Sequence, residues 1–153
     1  MKASCLCGKV RIQIGSLSGP FELCHCNRCK KHTGSAFNPV VDSSVEGFKI
    51  LSGKENISTF KAPLLEAGPH YQVWFCSTCG SPLPDPAPMH EVVEIPAGII
   101  DSEIAVTPDK SVFIEQSYSW LSLLSKIKCF TKSEIAAYRK SNGRKRYIEG
   151  QKV

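Results

Sequence analysis

The sequence predicts a mainly β domain, stapled by metal-bound cysteines and followed by a short C-terminal helix. Three observations carry that prediction. Short apolar and β-branched runs recur between Gly, Pro, Ser and Asn breaks as far as Ile114, the pattern of a small sheet protein. Seven of the eight cysteines fall into C-x-C, C-x-C-x2-C and C-x2-C groups. Near the C-terminus, Thr131-Lys132-Ser133-Glu134 matches the reciprocal capping box that opens a helix.

Taken in order, residues 8–14 alternate, with Val10, Ile12 and Ile14 on one face and Lys9, Arg11 and Gln13 on the other. A half-buried strand therefore starts just after Cys5 and Cys7. Residues 15–20 read as a turn or loop, and residues 21–23 as a short strand delivering Cys24. After Cys29 the polar run to Thr33 permits a helical turn that Gly34 ends. Residues 36–41, 48–51, 57–60 and 71–75 read as further strands, with Pro39 placing the first of them at an edge or a bulge. Cys76-Ser77-Thr78-Cys79-Gly80 follows Val73-Trp74-Phe75 directly, as a metal knuckle at a hairpin tip would, and Gly80 suits the positive φ of such a turn. Pro82, Pro84, Pro86 and Pro88 make residues 81–89 an extended loop. Residues 92–100 and 112–114 are the last strands, and residues 135–141 form a short helix stopped by Asn142-Gly143.

A chain of 153 residues, 42% hydrophobic and 22% charged, is of a size to bury one core. It shows neither a signal-like start nor an apolar run of bilayer length, so a soluble, cytoplasmic protein with reduced thiols is expected and a membrane partner is not. The net charge of +5 is uneven: residues 126–153 hold nine Lys/Arg against Glu134 and Glu149, or +7, leaving residues 1–125 at −2. The expected organisation is a metal-binding domain over residues 1–125 and a basic extension over 126–153, with residues 144–153 mobile.

The close cysteine spacings suit a metal better than disulfides, whose geometry asks for Cα atoms about 5.5–6 Å apart. Structural zinc sites take four protein ligands, whereas catalytic ones keep a position open. Cys5/Cys7 and Cys76/Cys79 are two two-ligand knuckles, and pairing them closes a four-thiolate site. Cys24, Cys26 and Cys29 are then left as a three-thiolate site with one vacancy, open to water, an exogenous thiol, or a fourth ligand such as His25 or His32. A closed structural site and an iron–sulfur cluster are the alternatives there. Cys129, isolated in sequence, reads as a buried or partly buried structural thiol.

The segments Ala3-Ser4-Cys5-Leu6-Cys7-Gly8-Lys9-Val10-Arg11, Cys24-His25-Cys26-Asn27-Arg28-Cys29 with Thr33-Gly34-Ser35-Ala36-Phe37, and Phe75-Cys76-Ser77-Thr78-Cys79-Gly80-Ser81 together resemble the glutathione-dependent formaldehyde-activating enzyme family, which includes centromere protein V-like members. Pro108 and the stretch from Val112 to Trp120 resemble that family's late strand and tryptophan segment, while Ser111 and Ser119 depart from its usual His and Pro. The resemblance implies a β-tent-like fold of antiparallel sheets with zinc-ribbon character. It also implies a structural Zn2+ on Cys5, Cys7, Cys76 and Cys79 and a second Zn2+ on Cys24, Cys26 and Cys29, and three ligands, holding more weakly than four, make labile occupancy the expectation there. The implied activity is that of a carbon–sulfur lyase acting on a thiol–aldehyde adduct such as S-hydroxymethylglutathione, with glutathione as substrate or co-substrate.

In that reading the vacancy of the second site activates a thiol, His25 or His32 handles the proton on the adduct oxygen, and Arg28, Lys30 and Lys31 hold glutathione carboxylates. The rival classes are a non-enzymatic, zinc-stapled module whose basic tail, Arg144-Lys145-Arg146 included, contacts nucleic acid or protein, and a scaffold whose second site is vestigial.

Overall fold

Alternation decides which face of each strand is buried, and three facing residues show it. Phe21, Val41 and Ile95 lie opposite one another on three neighbouring strands, and all three are buried. Their sequence neighbours Glu22, Asp42 and Glu94 necessarily turn to the other face. These strands belong to the computed structural model of the protein, which describes residues 1–62 and 71–141.

In chain order the elements are β1 (Lys2–Ser4), β2 (Arg11–Gln13), β3 (Leu17–Cys24), α1 (Asn27–Thr33), β4 (Asn38–Ser44), β5 (Lys49–Ser52), β6 (Ile57–Ala62), β7 (Tyr71–Cys76), β8 (Pro82–Leu83), β9 (Val92–Pro96), β10 (Lys110–Val112) and α2 (Lys132–Ser141). Short 3-10 turns occupy Lys54–Asn56, Ala97–Ile99, Ile114–Gln116 and Ser119–Lys126. The strands form three sheets, ordered β1-β2-β5, β10-β3-β4-β9 and β6-β7-β8. The expected mainly β class is what the chain adopts, with one pair, β10 on β3, running parallel among otherwise antiparallel ladders.

Two compact units are present, Met1–Tyr118 and Ser119–Val153. The first holds all three sheets and a core in which Val10, Ile12 and Ile14 are almost wholly buried, as their alternation predicts. Full burial of such side chains is worth about 1.5–3 kcal/mol each. In the second, α2 opens with the capping box: the Thr131 amide donates to Glu134 Oε2 at 2.6 Å, and the Glu134 amide donates to Thr131 Oγ1 at 3.4 Å. Lys128 stacks its ammonium 5.0 Å from the Phe130 ring, which in turn lies 5.0 Å from Tyr138. Among the described residues no helix is long and apolar enough to cross a membrane.

Six expectations change. The strand expected over 92–100 ends at Pro96 ahead of the 3-10 turn Ala97–Ile99, and Pro82–Leu83 in the expected loop 81–89 pairs with β7 as β8. The stretch 15–20 is not all turn, because β3 already begins at Leu17, where Leu17 pairs with Ser43 ahead of a register shift. A partner strand overrides the local Gly-Pro signal. β4 is an interior strand and not an edge, and its Pro39 lies one residue ahead of the Val40–Ser44 stretch that β9 pairs. The last strand stops at Val112, because Phe113 enters the left-handed region at φ 57° and starts a 3-10 turn. Cys129 is exposed, not buried; its Sγ lies 3.6 Å from the Ile127 carbonyl oxygen. The helix stop at Asn142-Gly143 and the basic Arg144-Lys145-Arg146 lie outside the described residues.

Candidate metal centre

Two tight turns build the first thiol cluster. β1 and β2 are joined through Cys5 to Gly8, where the Gly8 amide donates to the Cys5 carbonyl at 2.8 Å. β7 and β8 are joined through Cys76 to Gly80, where the Gly80 amide donates to the Cys76 carbonyl at 2.8 Å and Gly80 takes φ 74°. The turns lock side by side through the Leu6 amide, which donates to Ser81 Oγ at 2.9 Å. As a result the sulfurs of Cys5, Cys7, Cys76 and Cys79 all lie within 4.8 Å of one another. Cys5 Sγ is 3.4 Å from Cys7 Sγ, which is 3.8 Å from Cys76 Sγ. Tetrahedral zinc with bonds of about 2.3 Å spaces its sulfurs about 3.8 Å apart, so this quartet fits such an ion.

The second cluster forms where β3 runs into α1. Cys24 ends the strand, Cys26 caps the helix by accepting the Cys29 amide on Sγ at 3.4 Å, and Cys29 sits in the first turn. Thr33 Oγ1 donates back to the Cys29 carbonyl at 2.9 Å, and Gly34 ends the helix in the left-handed conformation. The three sulfurs lie within 4.8 Å of one another, and among the described residues no fourth His, Cys, Asp or Glu joins them.

The proton affinities of both clusters show crowded thiols. Burial raises Cys79, but the Ser81 hydroxyl 3.3 Å away and the backbone amides outweigh it and bring the thiol down to about 6. The Lys9 amide lowers Cys7, but burial and the three partner thiols push it up to about 11. In the second cluster burial raises Cys29 far above the ordinary thiol range and Cys24 less so, whereas backbone amides and the two partner thiols outweigh burial at Cys26 and lower it. Ionising one sulfur thus raises its neighbours, a conflict that a dication removes.

A cavity of about 560 Å³ opens beside the second cluster. Cys24, Cys26 and Cys29 line it with Arg28, His32 and Tyr71, and its far wall is the solvent-side face of β3, β4 and β9. The Tyr71 hydroxyl lies 3.4 Å from Cys29 Sγ. Burial and then the neighbouring Cys29 raise Tyr71, so it keeps its proton. Arg28 rests its guanidinium 4.6 Å from the centre of the Tyr71 ring.

Of the residues singled out from the sequence, the structure brings Arg28 and His32 to this cavity. His32 is half-buried, and burial lowers its pKa below the ordinary histidine value, leaving a neutral ring at pH 7. His25 is 4% exposed and does not line the cavity; its ring lies 5.5 Å from Phe37 and, among the described residues, its buried Nδ1 has no hydrogen-bond partner. Lys30 is buried too, with Nζ donating to the Gln116 carbonyl at 2.5 Å over the Tyr118 ring, and Lys31 is exposed away from the cavity. The sequence reading missed Tyr71 and Gln116, which also accepts the Asn27 amide on Oε1. They lie 42 and 89 positions from the cysteine-loop residues they touch, and no local pattern marks them.

Fold and clusters together define a small β protein with two thiol groupings able to hold metal ions, one closed on itself and one opening on a cavity. The model of the glutathione-dependent formaldehyde-activating enzyme family matches residues 1–116, and the chain belongs to that family. A crystal structure of a Rhodobacter sphaeroides protein shares the fold, with a TM-score of 0.51 and 22% identity over 73% of this chain and 100% of that one. No curated protein matches the chain.

Proposed function

We propose that the protein is a zinc-dependent carbon–sulfur lyase that cleaves, and in reverse forms, the adduct of an aldehyde with glutathione or another thiol, such as S-hydroxymethylglutathione. The observation that carries this reading is the three-thiol cluster at the wall of a cavity, with no fourth protein ligand among the described residues. Cys5, Cys7, Cys76 and Cys79 would hold a structural ion, and Cys24, Cys26 and Cys29 a second one. When bound there, zinc supplies a soft, electrophilic position that favours the ionised form of a substrate sulfur.

The chain's own groups handle the proton. In the cleavage direction neutral His32 takes the proton of the adduct hydroxyl, the oxygen's electron pair forms the carbonyl, and the carbon–sulfur bond breaks with its electrons on sulfur. One thiolate, one aldehyde and one imidazolium result, so the step balances without an oxidant. Tyr71 holds the Cys29 sulfur in place by its hydroxyl, and Arg28 is the cation placed to meet a substrate carboxylate. His25, packed behind the loop, fixes the loop's shape in this reading, and Lys30 ties α1 to the Gln116 turn. Residues 1–125 carry the chemistry, and a reducing cytoplasmic setting keeps the thiols available.

The test is zinc content and adduct turnover on fresh, reduced protein. Wild type is expected to hold two zinc ions per chain and Cys26→Ser one, with turnover lost in the variant. One ion in both proteins, or full turnover by Cys26→Ser, overturns the assignment.

A further inference from the structure

One residue on the cavity lining is held in a conformation that its side chain resists. Phe113 takes φ 57° and ψ 45°, and among the described residues it is the one non-glycine residue with a positive φ. For a bulky aromatic residue that region is a strained outlier, and it persists only where the surrounding structure over-determines it. Here the chain is fixed on both sides. Val112 pairs with Cys24, and its carbonyl accepts the His25 amide at 3.0 Å. Directly after Phe113, the Ile114–Gln116 turn is bound to α1 through Gln116, whose Oε1 accepts the Asn27 amide at 2.9 Å and whose carbonyl accepts Lys30 Nζ. Phe113 therefore leaves its strand beside the first cysteine of the open cluster. It lines the same cavity as Cys24, Cys26 and Cys29 and is 50% exposed, so the strain does not serve core packing.

Other apolar groups share that cavity. Trp74, Leu83, Met89 and Val92 line it too, and Met89 and Val92 join Phe113 among the large apolar side chains left exposed. Exposed apolar groups that converge on one cavity suit an apolar part of a ligand. In a thiol–aldehyde adduct two parts diverge from the carbon–sulfur bond. The glutathione part is rich in carboxylates and amides, and Arg28 is the cation that meets it; the aldehyde part is whatever substituent its carbon carries. Formaldehyde brings none and leaves the Phe113 ring facing water.

We propose that Phe113 is a specificity-determining residue of the adduct site: its ring packs on the substituent of the aldehyde-derived carbon, so that the protein takes glutathione adducts of alkyl and aryl aldehydes as well as the one-carbon adduct. This rests on the reading above that a glutathione-type thiol binds with its sulfur at the open cluster, and it concerns the other half of the adduct. The cleavage step keeps its balance, with the larger aldehyde released in place of formaldehyde.

The experiment measures the binding of S-methylglutathione and S-benzylglutathione to the zinc-loaded protein by calorimetry. Neither thioether carries the hydroxyl that cleavage needs, so affinity is read without turnover. Wild type is expected to bind S-benzylglutathione at least tenfold tighter than S-methylglutathione. Phe113→Ala and Phe113→Gly should each bring that preference below threefold, and Phe113→Tyr should keep it. The glycine variant takes the left-handed region without strain and should unfold in urea no more easily than the alanine variant, so a preference lost there is not a lost fold. Equal binding of the two compounds by wild type, or a preference that Phe113→Ala retains, overturns the role of Phe113 while the open-cluster reading stands. Binding of neither compound also overturns it. If glutathione in addition leaves the thiolate-to-metal absorption of the cobalt-substituted protein unchanged, the open-cluster reading falls as well.

Discussion

At the scale of single residues, two side chains separate chemistry from support. His32 is the proposed base of the cleavage direction, and burial lowers its pKa. Its neutral form is therefore the active one at pH 7, and kcat/KM for adduct cleavage should fall as pH drops through that lowered value, below about 6.5. His32→Gln should reduce kcat by about a hundredfold and remove that acid limb, as steady-state rates across pH would show. A variant that keeps the limb assigns it to another group. Tyr71 acts through Cys29, whose sulfur it meets at 3.4 Å. Tyr71→Phe keeps the ring beneath Arg28 but removes the hydroxyl, and outer hydrogen bonds of this kind change metal affinity by about 10–100-fold. Competition with a zinc-sensitive dye should show that loss at the three-thiol site alone. An unchanged affinity would leave the hydroxyl without the positioning role.

At the scale of elements, what could be read in advance follows the range of the interactions involved. The knuckles and the capping box are local devices, so cysteine spacing and Thr131 to Glu134 announce them. β1 could not be read: three residues carry too little alternation, and the strand exists because β2 and an isolated bridge from Ala3 to Ile100 supply partners. The same holds for the far wall of the cavity, where Glu22, Asp42 and Glu94 converge only once three strands take their register. Long-range pairing also explains a tight spot beside the first knuckle. Gly53 takes φ 76°, and a Cβ there would meet the Lys9 carbonyl oxygen at 2.3 Å. Gly53→Ala therefore combines left-handed strain with a backbone clash and should cost about 1–3 kcal/mol or more. Urea melts of the zinc-loaded protein would measure it, and a cost below about 0.5 kcal/mol, the level of an ordinary surface substitution, would contradict the close approach.

At the scale of the whole molecule, the two thiol clusters differ in what their ions would do for folding. Cys5 and Cys7 come from one hairpin and Cys76 and Cys79 from another, about 70 residues apart in the chain by the 69-residue separation of Cys7 and Cys76. No preformed quartet exists in the unfolded chain, so binding there is folding free energy. Cys24, Cys26 and Cys29 lie within one strand–helix junction whose shape is already fixed by the Cys26 cap and the Thr33 bond, so an ion there adds little to global stability. Graded chelation should consequently act in two steps. The three-ligand ion leaves first, abolishing adduct turnover while far-ultraviolet circular dichroism stays constant; the four-ligand ion leaves at higher chelator, and unfolding accompanies it. Zinc release and circular dichroism recorded on the same samples decide the matter. Release of both ions in a single unfolding step would mean that the open cluster is part of the staple, and its separate role in catalysis would fall with it.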